Sequence, residues 1–137
     1  PSDFFVQNAS AGDSSNSFSA PVDTSGQTYK YTYSQRTLGC SIDHLVESCS
    51  LTPPTYLKID VDGFDFLVLA GAKNTLNNRI IKSISVEIDL LRPNAKTDIV
   101  AILNQYGYRL TSICGETLLT PNGLPHSPGH CFNFVFE

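Results

Sequence analysis

The chain has 137 residues, a formal net charge of −4, 41% hydrophobic residues and 16% charged ones, which fits one soluble globular domain and leaves no room for two comfortable ones. The few Lys and Arg are scattered, so no basic patch marks a nucleic-acid partner. No apolar run approaches the ~20 residues of a membrane span, and the opening Pro-Ser-Asp does not read as a signal peptide.

Proline at position 1 and the absence of any methionine read as a piece of a longer polypeptide. Cys40, Cys49, Cys114 and Cys131 have no CxxC spacing, and His44, His126 and His130 are not placed as zinc partners. Cys114 and Cys131 lie on apolar segments and are expected to be buried thiols. Cys40 and Cys49 would pair only in an oxidising compartment. The expectation is a reducing, cytoplasmic setting. Asn8-Ala9-Ser10 matches the glycosylation pattern, a short motif common by chance.

Residues 1–36 form a loop-rich segment unlike the rest. Asp3 to Gln7 is expected to be a short strand, and Asn8 to Gly26, rich in Ser, Asn, Gly and Asp, an exposed loop. Tyr29, Tyr31 and Tyr33 alternate with polar residues over Gln27 to Gln35, as in a half-buried strand, so the segment is expected to fold as an antiparallel β-hairpin. Residues 37–137 carry the main domain. Ile42, Leu45 and Val46 behind Ser41 predict a helix over about 41–49, ended by Pro53-Pro54.

The stretch Tyr56 to Leu76 organises the chain. A strand over about 56–61 runs into Asp60, Asp62, Gly63 and Asp65, then into a helix over about 63–76. Asp62 is expected as its cap, with Asp65 completing a capping box. A strand that ends in acids and turns into a helix places them where ligands sit in open α/β sheets. Ile80 to Ile88 alternates as the next strand, and Asn94 to Tyr106 is an amphipathic helix stopped by Gly107. Tyr108 to Cys114 is a strand, Gly115 to Gly129 a turn-rich connection, and His130 to Phe136 the last strand. This rhythm predicts an α/β sheet, with two parallel pairings first and an antiparallel hairpin last.

Four pieces in order resemble the later half of the FkbM-type methyltransferases. They are Lys58-Ile59-Asp60-Val61-Asp62-Gly63-Phe64-Asp65, then Leu69-Ala70-Gly71-Ala72, the strand Ser85 to Asp89, and Gly107-Tyr108-Arg109-Leu110. Asp stands at 62 and 65 where the family has Glu, and Thr37-Leu38-Gly39 has glycine in place of an acid. The likeness covers about residues 37–136. It implies part of a class I methyltransferase, Rossmann-like sheet, mostly parallel with a final antiparallel hairpin. It further implies S-adenosylmethionine as cofactor and methyl transfer to a hydroxyl of a small molecule or glycan. The family's glycine-rich cofactor turn has no counterpart here, since Gly12, Gly26 and Gly39 are isolated, so the cofactor-binding residues are unknown.

The resemblance casts Asp60 as base or polar clamp, with Asp62 and Glu87 beside it; helix capping is the bland account of Asp62 and Asp65, and a solvated strand end that of Glu87. His130 could reach the crevice, but a loop histidine is the plainer reading. A calcium loop fits poorly: counting from Asp60, the fifth, sixth and twelfth positions are Phe64, Asp65 and Gly71. A magnesium ion shared by Asp60 and Glu87 is a further alternative. The non-catalytic alternative is an α/β interaction module whose exposed sheet edge is covered by a missing N-terminal segment or a second copy.

Overall fold

The computed structural model describes residues 1–10, 16–23, 26–115 and 131–137. Two compact units divide the chain, Pro1–Ser41 and Ile42–Glu137.

The first unit is a three-stranded antiparallel sheet. β1 (Ser2–Val6) lies between β2 (Asn16–Phe18) and β3 (Tyr33–Thr37). The expected pairing of the first strand with a later tyrosine strand is present, in register from Ser2 with Thr37 to Val6 with Tyr33. The later strand starts further on than its alternation suggests. Val22 and Thr28 form an isolated antiparallel bridge before it, and the Tyr29 hydroxyl is spent on Ser17 at 2.6 Å. Tyr31 and Tyr33 are exposed rather than half-buried; Tyr31 meets Phe5 edge-on. The stretch read as one polar loop holds β2, whose buried Ser17 donates to the Ala20 carbonyl. Gly39 is closely covered by the Phe18 ring, so its lack of a side chain serves packing.

The second unit contains α1 (Ile42–Glu47), β4 (Tyr56–Ile59), α2 (Asp65–Ala70) and α3 (Lys73–Asn77). β5 (Ser83–Asp89), α4 (Ala95–Gln105), β6 (Leu110–Gly115) and β7 (Cys131–Phe136) follow. Its sheet has the order β4-β5-β7-β6. β4 and β5 are parallel, and β7 is antiparallel to both β5 and β6. Of the two parallel pairings expected, the first exists. The second does not, because β7 inserts between β5 and β6. The insertion brings Phe134 and Phe136 opposite Val86 and Ile84, and all four are buried. The turn-rich connection expected before β7 lies, past Gly115, outside the described residues.

Strict alternation in β5 buries Ile84, Val86 and Ile88. They cluster with Ile59, Leu69, Ala72, Leu76, Ile99, Leu103, Phe134 and Phe136, so the helices cover one face of the sheet. Burial of this kind contributes about 25 cal/mol per Å² of apolar surface. The other face carries Lys58, Ser85, Glu87 and Asn133, none of them buried. Cys114 and Cys131 are exposed free thiols, not the buried ones expected: the Cys131 position pairs with Asp89, and Cys114 with Asn133, so both lie in line with the uncovered face. Cys40 and Cys49 are free as well.

The single helix expected over 63–76 is two short ones, broken at Gly71 and Ala72. Asp43 of α1 explains the second start. Its carboxylate accepts from the Asn74 N–H at 3.0 Å, and from the Thr75 N–H and hydroxyl at 2.9 and 2.7 Å. Glu47 accepts from the Asn74 side chain at 2.7 Å. An acid from another element thus supplies the cap that local sequence lacks. In the Gly107-Tyr108 turn, φ at Gly107 is +82° and a Cβ there would strike Arg79, whose guanidinium lies 5.5 Å from the Tyr108 ring centre.

Candidate active site

The parallel ladder ends with Ile59 opposite Val86. One residue further, Asp60 comes beside Glu87 on the uncovered face, because side chains alternate along both strands. Lys58, two residues back on the same face, donates to Asp60 Oδ2 at 2.7 Å. The Asp60 side chain keeps 41% of its surface exposed, so it opens to solvent.

The electrostatics divide these acids. The hydrogen bond from Lys58 holds Asp60 below the usual carboxylate range, against some desolvation, and a hydrogen bond with Glu87 helps. Glu87 moves the other way. Desolvation pushes it up, then the hydrogen bond with Asp60 and the charges of Asp60 and Asp62, with Lys58 opposing. Two carboxyl groups that share a hydrogen bond titrate as a unit, one ionising readily and the other late. Asp62 is raised by desolvation and by the Asp60 charge. Desolvation also raises the Cys131 thiol, as do the charges of Asp89, Glu87, Asp62 and Asp60. That keeps it a thiol, not a nucleophilic thiolate.

The turn after Asp60 departs from the expected cap. Asp62 is left-handed at φ 47° and Gly63 follows at +93°. The Phe64 N–H closes the turn on the Val61 carbonyl at 3.2 Å. α2 therefore begins at Asp65 with Phe64 at its N-cap and no side-chain capping bond, and the capping box does not form. Two successive positive φ values use up the residues that would have begun the helix, and only glycine takes the second without strain. Asp65 turns inward instead and is 6% exposed. Its Oδ1 has no hydrogen-bond partner, and Arg92 Nη1 is 3.9 Å from Oδ2. Desolvation raises Asp65, while backbone amides and Arg92 pull it down. A Cβ on Gly63 would run into the Arg92 guanidinium, so Arg92 lies across the turn that carries the acids.

The structure thus brings Asp60 and Glu87 together, sets Asp62 within electrostatic reach, and sends Asp65 to the opposite, inner side. His130 lies outside the described residues. Reasoning from sequence missed Lys58 and Arg92. The two-residue spacing of Lys58 and Asp60 on one strand carries the first signal; Arg92 was read only as a chain breaker with Pro93. Among the described residues no group of three or more His, Cys, Asp or Glu is placed to hold a metal ion. No helix among them is long and apolar enough to cross a membrane.

The family model described as Methyltransferase FkbM domain matches residues 2–110. The match begins earlier than the resemblance seen in the motifs and takes in the first unit. No curated protein and no solved structure matches the chain.

Proposed function

Because the chain belongs to the FkbM methyltransferase family, we propose that it takes part in S-adenosylmethionine-dependent methyl transfer to a hydroxyl oxygen of a small molecule or glycan. The supporting observation is the open Asp60–Glu87 pair at the carboxyl ends of adjacent parallel strands, where ligands of α/β sheets sit. The order β4-β5-β7-β6 with β7 antiparallel suits the later half of a class I methyltransferase sheet.

The residues present fit the cofactor in part. The exposed acids suit a cationic, hydroxyl-bearing group, but the glycines found between a strand and a helix among the described residues, Gly39 and Gly63, stand singly and are covered by Phe18 and Arg92, so they do not form a glycine-rich cradle. The cofactor supplies an electrophilic methyl on a sulfonium. The chain's own residues handle the acceptor. Asp60, kept ionised by Lys58, accepts a hydrogen bond from the acceptor hydroxyl and orients it. Glu87, with its raised pKa, is the better-matched proton acceptor. Once it holds the proton, Glu87 hydrogen-bonds Asp60, so the pair accommodates one proton and avoids two like charges side by side.

Titration calorimetry of the chain with S-adenosylmethionine tests this. Micromolar binding that is lost in Asp60→Asn supports the reading; absence of heat with the chain intact sinks it for this chain alone. A second reading has its own observation. β4 has a partner on one side only among the described residues, and its Tyr56 is 70% exposed. An interaction module would add a strand there from a second copy. Concentration-dependent sedimentation without cofactor binding would favour it.

A further inference from the structure

We propose that Arg92 is a positioning residue for the Asp60–Glu87 pair, bracing the β4–α2 turn from the end of β5 so that the two carboxyl groups stay within reach of each other. Its catalytic meaning rests on the methyl-transfer reading; the brace itself does not.

The two acids are held unequally. Glu87 sits inside β5, opposite Asn133 of β7. Asp60 stands just past the end of the β4–β5 ladder, whose register stops at Ile59 with Val86. The separation of the pair is therefore set by the turn that follows Asp60. That turn is poorly secured by its own residues. Its closing bond, from the Phe64 N–H to the Val61 carbonyl, is 3.2 Å, φ is positive at both Asp62 and Gly63, and α2 starts with no side-chain cap. A non-glycine residue in the left-handed region persists only where its surroundings hold it there.

Arg92 supplies that support. Its backbone belongs to the end of β5: its N–H donates to the Asp89 carbonyl at 3.2 Å, and Asp89 Oδ1 accepts from the Leu91 N–H at 2.9 Å. Its partly buried side chain reaches back across the β4 tip. There the guanidinium covers Gly63 so closely that a Cβ would stand 2.8 Å from its central carbon, and Nη1 lies 3.9 Å from Asp65 Oδ2. The Val61 amide also favours the Asp65 carboxylate, and Val61 is the residue after Asp60. One side chain from the strand of Glu87 thus meets the turn of Asp60 at two points, the glycine and the buried acid. A counter-charge for Asp65 explains the second contact alone. The first needs a flat group laid against a bare backbone, which the compact ammonium of a lysine does not provide.

The test is a pH titration of the whole chain with isotope-labelled side-chain carboxyl groups, which follows both acids by NMR and needs neither methyl donor nor turnover. Held together, the two titrate apart, Asp60 early and Glu87 late. In Arg92→Met the pair should relax, with Asp60 rising and Glu87 falling. The ratio of their two dissociation constants should shrink by about three- to tenfold, the worth of one hydrogen bond. Losing a positive charge acts otherwise, raising both acids together. The neighbouring charges of Lys58 and Asp62 are the same in both proteins. Arg92→Lys keeps the charge beside Asp65, and with it the fold, but lacks the flat group over Gly63; a change in the same direction of about twofold is expected. An unchanged ratio in folded Arg92→Met, or a joint rise of the two acids, would overturn the proposal. If Arg92→Met does not fold, an unchanged ratio in Arg92→Lys does so. Either result leaves the methyl-transfer reading standing, since that reading answers to cofactor binding.

Discussion

A carboxylate's surroundings decide whether it can be a clamp, a base or a burden, and under the proposed function Asp60, Glu87 and Asp65 take these three parts. Glu87 is raised by desolvation and by its hydrogen bond with Asp60. A base must be ionised to accept a proton, so methyl transfer should be slow in acid and climb as pH passes the raised pKa of Glu87. Glu87→Gln should remove that limb and lower kcat by about 10²–10⁴-fold, the usual worth of a positioned base; a pH profile of kcat that keeps its acid limb in the variant would contradict the role. Asp65 bears on stability. Its folded pKa lies above its unfolded value because burial opposes ionisation. The stability it allows is complete below about pH 4 and falls as pH rises through the folded pKa. Urea midpoints across pH 3–8 should show this fall as a difference between the native chain and Asp65→Asn, in which position 65 no longer titrates; parallel curves would refute it.

At the scale of elements, Asp43 carries the most weight for its size. Desolvation opposes its ionisation, yet the Asn74 and Thr75 amides and the Thr75 hydroxyl together lower its pKa. An acid lowered on folding stabilises above its unfolded pKa and loses that effect as pH falls through the folded value. Asp43→Ala should therefore cost about 1–2 kcal/mol near neutrality, as losing a helix cap does, and much less near pH 2. Equal losses at both pH values, read from urea unfolding, would show that packing and not the cap is responsible. The same contact marks the limit of reading this chain from sequence. β5 and α4 were legible because their periods of two and 3.6 are clean. The acids at the β4 tip were legible because strand ends in such sheets are where chemistry collects. The break between α2 and α3 was not, since the residue that caps the second helix stands thirty-two positions away from Thr75. Nor was the place of β7: alternation fixes which side of a strand is buried and says nothing about which neighbour it chooses. The inward turn of Asp65 was hidden for a local reason, because Asp62 takes a left-handed conformation that its sequence position as a plausible cap conceals.

For the molecule as a whole, buried apolar surface is unevenly shared. The core cluster, from Ile59 to Phe136, lies wholly in the second unit. Among the described residues of the first unit, only Val6 and Ser17 are buried. A unit of forty-one residues whose described part is a three-stranded sheet with so little apolar burial is held there chiefly by its ladders and by the Ser17–Tyr29 hydroxyl contact, and small units of this kind have low intrinsic stability. Opening free energy follows local burial. Native-state hydrogen exchange in low urea should thus find Phe4 to Val6 of β1 exchanging through a low-energy opening. Ile84 to Ile88 of β5, flanked by β4 and β7 and packed beneath α4, should exchange only on global unfolding. Equal protection of the two strands would mean that the first unit draws its stability from more than its own core, and the division of the chain into a stable half-sheet and a loosely held sheet would have to be abandoned.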